Sequence, residues 1–197
     1  MNPLLSEASQ RNLVLASRSP RRLDLLKGMK FDFKVIPAKE DTERTVRHDD
    51  PRQLPELAAR LKCEEVSRQH PQSLVVAADT VVILDGAILN KPRDDEEARR
   101  FLSALSGRTH EVVTGVAVQR RSDDVDLSAS ETTKVTFRDL TADDVASYVA
   151  TGEGRDKAGS YAAQGLGASL IRSIDGCFYN VVGLPVALLF ELLRKVG

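Results

Sequence analysis

The sequence predicts an α/β protein built on a mixed sheet, and three observations carry that prediction. Apolar runs of strand length alternate along the chain with amphipathic runs of helix length. Two long β-branched runs, "HEVVTGVAVQRR" and "SASETTKVTFRDL", follow one another across the polar turn "SDDVD" with no helix between them, so the sheet is not a strict βαβ repeat. The strand-to-helix junction at "SRSPRR" lacks the GxGxxG of a dinucleotide-binding fold.

The elements follow in order. Residues 1–11 read as a flexible N-terminal extension, with the folded domain running from 12 to 197. Residues 12–16 read as a short buried strand. A helix follows from Pro20, whose missing N–H costs nothing at the first helical position, to a stop at Gly28. "FDFKVIP" alternates apolar and polar residues as a second strand does, and "AKEDTERTVRHDDPRQ" is a polar, irregular surface loop. A helix is expected over Leu54–Gln69, with Leu57, Leu61 and Val66 among its apolar positions. "LVVAADTVVILDG" reads as one or two buried strands ending at the turn Asp85-Gly86. Asp94 and Asp95 open an amphipathic helix that stops at Gly107. The two long strands come next, and Thr141 with Asp144 has the spacing of a capping box for a helix ending near Gly152. After a glycine-rich stretch over 152–167, "ASLIRSI" and "FYNVVG" read as a pair of strands across Asp175-Gly176, and a last helix begins near Pro185.

Composition narrows the function classes. A chain of 197 residues, 42% hydrophobic, can bury a real core as one domain or one with two lobes. A net charge of −1 gives no bulk attraction to nucleic acid or to an anionic membrane, so neither is expected as a partner, and any anion recognition must be local. The two cysteines, Cys63 and Cys177, have no zinc spacing, and so cysteine-poor a composition argues against a structural disulfide. The N-terminus has no signal-peptide apolar stretch and no run is long enough to span a membrane, so the expected location is the cytoplasm.

Candidate chemistry concentrates in a few places. Ser17, Ser19, Arg21 and Arg22 stand where a strand hands over to a helix. Backbone N–H groups and the helix dipole favour an anion there, and hydroxyls and guanidinium groups suit phosphate oxygens. An N-cap serine beside two solvated arginines is the alternative. Asp79 lies inside a β-branched apolar run, where an unpaired buried carboxylate is costly. It belongs at a strand end or bulge, binding a metal or activating water, or else in a hairpin turn. Lys91 follows the turn at Asp85-Gly86 and is a phosphate cation if the chain folds back, otherwise a surface lysine. In "GEGRDKAGSYAAQGLG" the glycines permit close approach to a ligand, and Asp156, Lys157, Tyr161 and Gln164 offer polar groups. The Gln164 amide, both donor and acceptor, suits a pyrimidine edge. Asp156–Lys157 is equally readable as a structural pair. The histidines His48, His70 and His110 are scattered, and His110, at a strand start, reads as structural.

Six segments in order, "LASRSPRR.DLL", "AADTVVILDGAILNKP", "A..FL..LSGRTHEVVTGVAV", "T.VTF", "DKAGSYAAQGLGASLI" and "NVVGLP", resemble the Maf-like nucleoside triphosphate pyrophosphatases over about residues 13–195. The resemblance implies an α/β fold of two lobes, a twisted mixed β-sheet with flanking helices, like that of inosine triphosphate pyrophosphatases, usually a homodimer. It implies hydrolysis of a nucleoside triphosphate to monophosphate and pyrophosphate, with a divalent metal cation, Mg²⁺ or Mn²⁺, as cofactor. Asp79 matches the position of the proton acceptor near the metal. Ser17, Ser19, Arg22, Lys62 and Lys91 match positions around the phosphates. Arg21, Thr80 and Gln164 match the three positions tied to base preference, with the residues of the dTTP/UTP type rather than the 7-methyl-GTP type. The family's metal-side glutamate falls among Glu40, Asp41 and Glu43, with Glu43 taken as the candidate ligand beside Asp79. The implied function is a house-cleaning pyrophosphatase for dTTP, UTP and modified pyrimidine nucleotides. The alternative is a nucleotide-binding regulator of septum formation in cell division, with turnover incidental or absent.

Overall fold

A computed structural model describes residues 2–39 and 46–196. The element order is β1 (Leu13–Leu15), α1 (Pro20–Gly28), β2 (Phe33–Val35), α2 (Leu54–Gln69), β3 (Leu74–Leu84), β4 (Ala87–Leu89), α3 (Asp95–Leu105), β5 (Thr109–Arg120), β6 (Val125–Phe137), α4 (Ala142–Ala150), β7 (Ile171–Asp175), α5 (Phe178–Val182) and α6 (Val186–Arg194). The sheet has the order β2-β1-β3-β5-β6-β7, with β4 also on β3. β1 pairs in parallel with β2 and β3, while β3/β4 and β6/β7 are antiparallel, so the sheet is mixed as the sequence predicts.

The chain divides into two compact units. One comprises residues up to Asp79 with Thr114–Glu131 and from Gly183 onward; the other comprises Thr80–Val113 and Thr132–Val182. The first unit obeys the period of two of a sheet covered on both faces. Leu13 and Leu15 of β1, Leu74, Val76 and Ala78 of β3, and Val116 and Val118 of β5 share a core with Leu26 of α1 and Leu189, Leu192 and Leu193 of α6. The intervening residues Val14, Ala16, Val75, Ala77 and Ala117 pack instead with Ala59, Cys63 and Val66 of α2. That second face is built of small side chains, and α2 accordingly buries Ala58, Ala59, Cys63 and Val66, while Leu57 and Leu61 stay half-exposed. The N-terminal residues are tied to this unit: Asn2 and Gln10 are buried, Asn2 Nδ2 donates to the Met29 carbonyl at 2.7 Å, and Gln10 hydrogen-bonds both backbone groups of Asn2.

In the second unit, Val82 and Leu84 of β3, Leu102 and Leu105 of α3, Val135 and Phe137 of β6, and Val145 and Tyr148 of α4 form one core. The capping box at Thr141 and Asp144 is complete. "FYNVVG" is not a strand: residues 178–182 form the short helix α5, and β7 pairs with β6 alone in that region. A five-residue apolar run has no period that separates strand from helix. Here tertiary bonds decide, because buried Asn180 donates to the Val112 carbonyl and Thr133 Oγ1, both at 2.9 Å, and Cys177 N–H donates to Thr133 Oγ1 at 3.0 Å. No helix among the described residues is long and apolar enough to cross a membrane.

Candidate active site

In the first unit, the parallel pairing of β1 with β3 extends past the strand to Ala16 N–H, which donates to the Val76 carbonyl at 2.8 Å. The chain then leaves the sheet and turns into α1. Ser17, 8% exposed, closes the turn by accepting the Ser19 N–H at 3.2 Å. Ser19 occupies the N-cap position with extended backbone, yet its hydroxyl accepts no bond from the first helical turn. The capping explanation of that serine therefore fails.

Arg22 is not a solvated arginine either. Its Nε donates to the Gly183 carbonyl at 2.8 Å, and Nη1 donates to the Ala78 carbonyl at 2.8 Å and to Ser17 Oγ at 3.3 Å. The guanidinium thus joins the β1–α1 turn, the residue before α6's leading segment and the backbone just before Asp79. Arg21, its neighbour, is half-buried.

Asp79 lies in the middle of β3, an unbroken strand of 11 residues. The hairpin-turn and strand-end readings are both overturned, since the turn comes later, at Asp85 and Gly86, where both residues have positive φ. The burial pattern shows why a carboxylate is tolerated: five buried residues precede a half-exposed window over Asp79, Thr80 and Val81, and burial resumes at Val82. Lys62 Nζ donates to Asp79 Oδ1 at 2.7 Å, with the two side chains only 12% and 19% exposed. Lys62 belongs to α2 and sits beside the buried Ala58, Ala59, Cys63 and Val66. A lysine inside an apolar helical stripe is the sequence signal that singles it out without any resemblance.

The second unit holds the other predicted residues. Thr80 follows Asp79 on β3 and is half-buried, whereas Lys91 and Gln164 are exposed. Gly159 N–H donates to the Asn90 carbonyl at 3.2 Å, which brings the segment carrying Lys91 against the glycine-rich segment. Lys157 is paired with Asp156 at 2.6 Å. Tyr161 is not available to read a base: it is buried, hydrogen-bonded to His110 Nε2 at 2.8 Å and edge-on to Phe137. His110 is structural as expected, and burial pushes its pKa down to about 4. Glu40, Asp41 and Glu43 lie outside the described residues. Among the described residues no three His, Cys, Asp or Glu side chains converge as a metal-binding group. Cys63, buried with its thiol against the Val75 carbonyl, and Cys177 are both unpaired thiols.

The sequence reading missed a polar network on α2. Glu56 accepts Ser128 Oγ–H at 2.7 Å, Arg60 reaches Ser128 and Asp126, and Gln119 joins Asp126 to Ser67. It fastens α2 along β5 and β6, and with it the register of Lys62.

Residues 12–196 match the family described as Maf-like protein. A Dictyoglomus thermophilum protein named dTTP/UTP pyrophosphatase is 41% identical over 188 residues, covering 95% of this chain and 97% of its own. A Carboxydothermus hydrogenoformans protein of the same name is 44% identical, covering 94% of this chain and 98% of its own. Among solved structures, the Staphylococcus aureus Ham1 protein shares the fold with a TM-score of 0.50 at 18% identity, covering 82% of this chain and 80% of that one.

Proposed function

The chain belongs to the Maf-like protein family, and we propose that it hydrolyses dTTP and UTP, together with modified pyrimidine nucleotides, to the monophosphate and pyrophosphate. The observation that carries this is the Lys62–Asp79 pair, a carboxylate held in a half-exposed window of an otherwise buried strand. Relatives over nearly the whole chain bear the name of that activity.

The reaction breaks the bond between the α-phosphorus and the bridging oxygen to the β-phosphorus, with water attacking phosphorus and pyrophosphate leaving. Asp79 accepts the proton of the attacking water. The ammonium of Lys62, 2.7 Å from Asp79 Oδ1, holds that carboxylate in place and offers a cation to a phosphate oxygen. Ser17, Ser19 and Arg22 take the triphosphate at the α1 corner, where Arg22 is already fixed by the carbonyls of Ala78 and Gly183. Lys91 adds a third cation. Arg21, Thr80 and Gln164 select the base.

One carboxylate, Asp79, is the donor the described residues offer here, which suits only a divalent cation that arrives with its nucleotide. Mg²⁺ is typically held by one or two carboxylates and the substrate's own phosphates, and Asp79 supplies one hard oxygen donor at this site. Glu43 is the proposed second. Bound there, Mg²⁺ or Mn²⁺ would neutralise charge on the phosphates. The same reading takes the protein as a cytoplasmic homodimer. A regulator of cell division without turnover is not favoured, since pure binding has no need of a base paired with a lysine.

The test is pyrophosphate release from dTTP, UTP, CTP, their 5-methyl and pseudouridine forms, GTP, 7-methyl-GTP, ITP and ATP, with Mg²⁺, Mn²⁺ or chelator. Metal-dependent preference for dTTP and UTP is expected. Preference for a purine overturns the assignment of Arg21, Thr80 and Gln164, and binding without turnover of any member overturns the activity.

A further inference from the structure

The glycine-rich segment closes on a carboxylate for which the proposed chemistry has no use. Glu153 stands just beyond α4, and its two oxygens lie inside the loop that follows. Oε1 accepts the Leu166 N–H at 3.0 Å, and Oε2 accepts the Gly167 N–H at 2.8 Å and the Tyr148 hydroxyl at 2.8 Å. Tyr148 Oη in turn accepts the Ala162 N–H at 3.1 Å. Two side chains from α4 and its C-terminal turn therefore hold the loop at residue 162 and at residues 166 and 167. Gln164, exposed, is the middle one of the three residues between those two grips.

The tightness of this wrap explains the spelling "QGLG". A Cβ on Gly165, whose φ is +70°, would sit 2.3 Å from Glu153 Oε1. A Cβ on Gly167 would sit 2.3 Å from the Ala162 carbonyl oxygen and 2.7 Å from Tyr148 Oη. Both glycines are required by the clamp itself, without reference to any ligand. Burial disfavours the ionised form of Glu153, but the tyrosine hydroxyl, the two N–H groups and the charge of Lys157 outweigh it and hold the carboxyl below its ordinary range. The clamp is thus charged at neutral pH, and its bonds are of the stronger, charge-assisted kind.

We infer that Glu153, acting with Tyr148, is a positioning residue for base selection, fixing the turn that presents Gln164 to the nucleobase. This rests on the reading of Gln164 given above. An amide carries a donor and an acceptor side by side, so it separates uracil or thymine from cytosine only where its position is held and the facing of its oxygen and nitrogen is fixed, and the clamp supplies the first of these. On a loop this rich in glycine, that position comes from the clamp.

The test compares Glu153→Gln, Glu153→Asp and Tyr148→Phe with the wild type. It reads kcat and KM for UTP and CTP and amide hydrogen exchange over residues 160–170 in the nucleotide-free protein. Glu153→Gln keeps the shape but puts a donor where one acceptor stood, so a backbone bond is lost. The expected results are faster exchange in the loop, a UTP KM raised about ten-fold with kcat within about two-fold, and a UTP-over-CTP preference cut about ten-fold. Glu153→Asp, which keeps the charge, recovers part of both. Exchange unchanged in Glu153→Gln overturns the clamp. Faster exchange with an unchanged UTP/CTP ratio overturns its role in selection and leaves the pyrophosphatase reading standing. A wild type that does not distinguish UTP from CTP overturns the assignment of Gln164, and the inference falls with it. If Glu153→Gln loses both activities equally and melts early, Tyr148→Phe decides, and an unchanged ratio there overturns the proposal.

Discussion

Replacing Gly115 with alanine tests whether the seating of α2 on the sheet sets the chemistry. Gly115 lies on β5 beneath the first turn of α2, and a Cβ there would fall 2.3 Å from Cα and N of Glu56 and 2.4 Å from the carbonyl carbon of Pro55. All three atoms are backbone, so no rotamer change relieves the clash. Carbon atoms settle at about 3.5–4.0 Å, which requires the helix to withdraw by about 1.2–1.7 Å. Lys62 rides on the same helix within two turns, and its bond to Asp79 is 2.7 Å. A rigid retreat stretches that bond beyond the ~3.5 Å at which a hydrogen bond ceases to count. Overpacking of this kind costs roughly 1–3 kcal/mol, which for a chain of this size lowers Tm by about 2–12 °C. Misplacing a catalytic group by about 1 Å costs up to ~10²-fold in rate. Thermal unfolding and pyrophosphate release from dTTP measure both effects. Gly28→Ala is the control, because nothing lies within 4 Å of its Cβ, and it should stay within about 0.5 kcal/mol of wild type. Full dTTP turnover in a Gly115→Ala protein with lowered Tm would refute the link between the position of α2 and catalysis. Wild-type behaviour in both measurements would refute the packing argument itself.

Further outcomes follow from the same geometry. Asp79→Asn, nearly isosteric, should lower turnover by at least ~10²-fold while nucleotide binding persists, measured by calorimetric titration with dTTP. Lys62→Ala removes the ammonium from a partly buried carboxylate. Because the pair lies between the exposed and fully buried limits, it should lose about 1–3 kcal/mol, and a double-mutant cycle with Asp79→Asn in urea unfolding should return a non-zero coupling. His110, facing Tyr161 and Phe137, has its folded pKa lowered by burial from 6.5 to about 4. The unfolded chain therefore binds the extra proton first, so stability is complete above about pH 6.5 and falls by an order of 3 kcal/mol as pH drops toward 4. His110→Asn should flatten unfolding free energy against pH between about 6.5 and 5.

The parts of the fold legible in the sequence are those with a local physical cause. Pro20 can start a helix and cannot continue one, and the predicted span Pro20–Gly28 is the observed one, as is Leu54–Gln69. The capping box at Thr141 needs only residues three apart. Where the decision is tertiary, the reading slipped. The helix at "FYNVV" depends on what Asn180 reaches in β5 and β6. The mid-strand placement of Asp79 depends on a lysine 17 residues away. On α2 the apolar positions named from the sequence include Leu57 and Leu61, which stay half-exposed, and Val66, which is buried with Ala58, Ala59 and Cys63, because the sheet face beneath them is filled by alanines and valines. For Glu153 the sequence offers no signal beyond the pair of glycines spaced around Leu166.

The residues proposed for the phosphates and those proposed for the base make different claims on the enzyme, and kinetics can separate them. Ser17, Ser19, Arg22, Lys62 and Asp79 lie in the first unit, and phosphates are common to every nucleoside triphosphate. Loosening α2 or its polar network through Arg60 and Asp126 should therefore depress kcat for all nucleotides alike. Thr80, Gln164 and the clamp at Glu153 lie in the second unit and are proposed to act on the base alone, so loosening them should change ratios between nucleotides and leave the best kcat near its original value. Arg21 and Lys91 cross this division, the first assigned to the base from within the first unit and the second to phosphate from within the second. The discriminating pair is thus Arg60→Ala against Glu153→Gln, assayed on UTP and CTP together. A uniform loss in the first and a ratio change in the second is the pattern that this division of labour requires, and the reverse pattern would refute it.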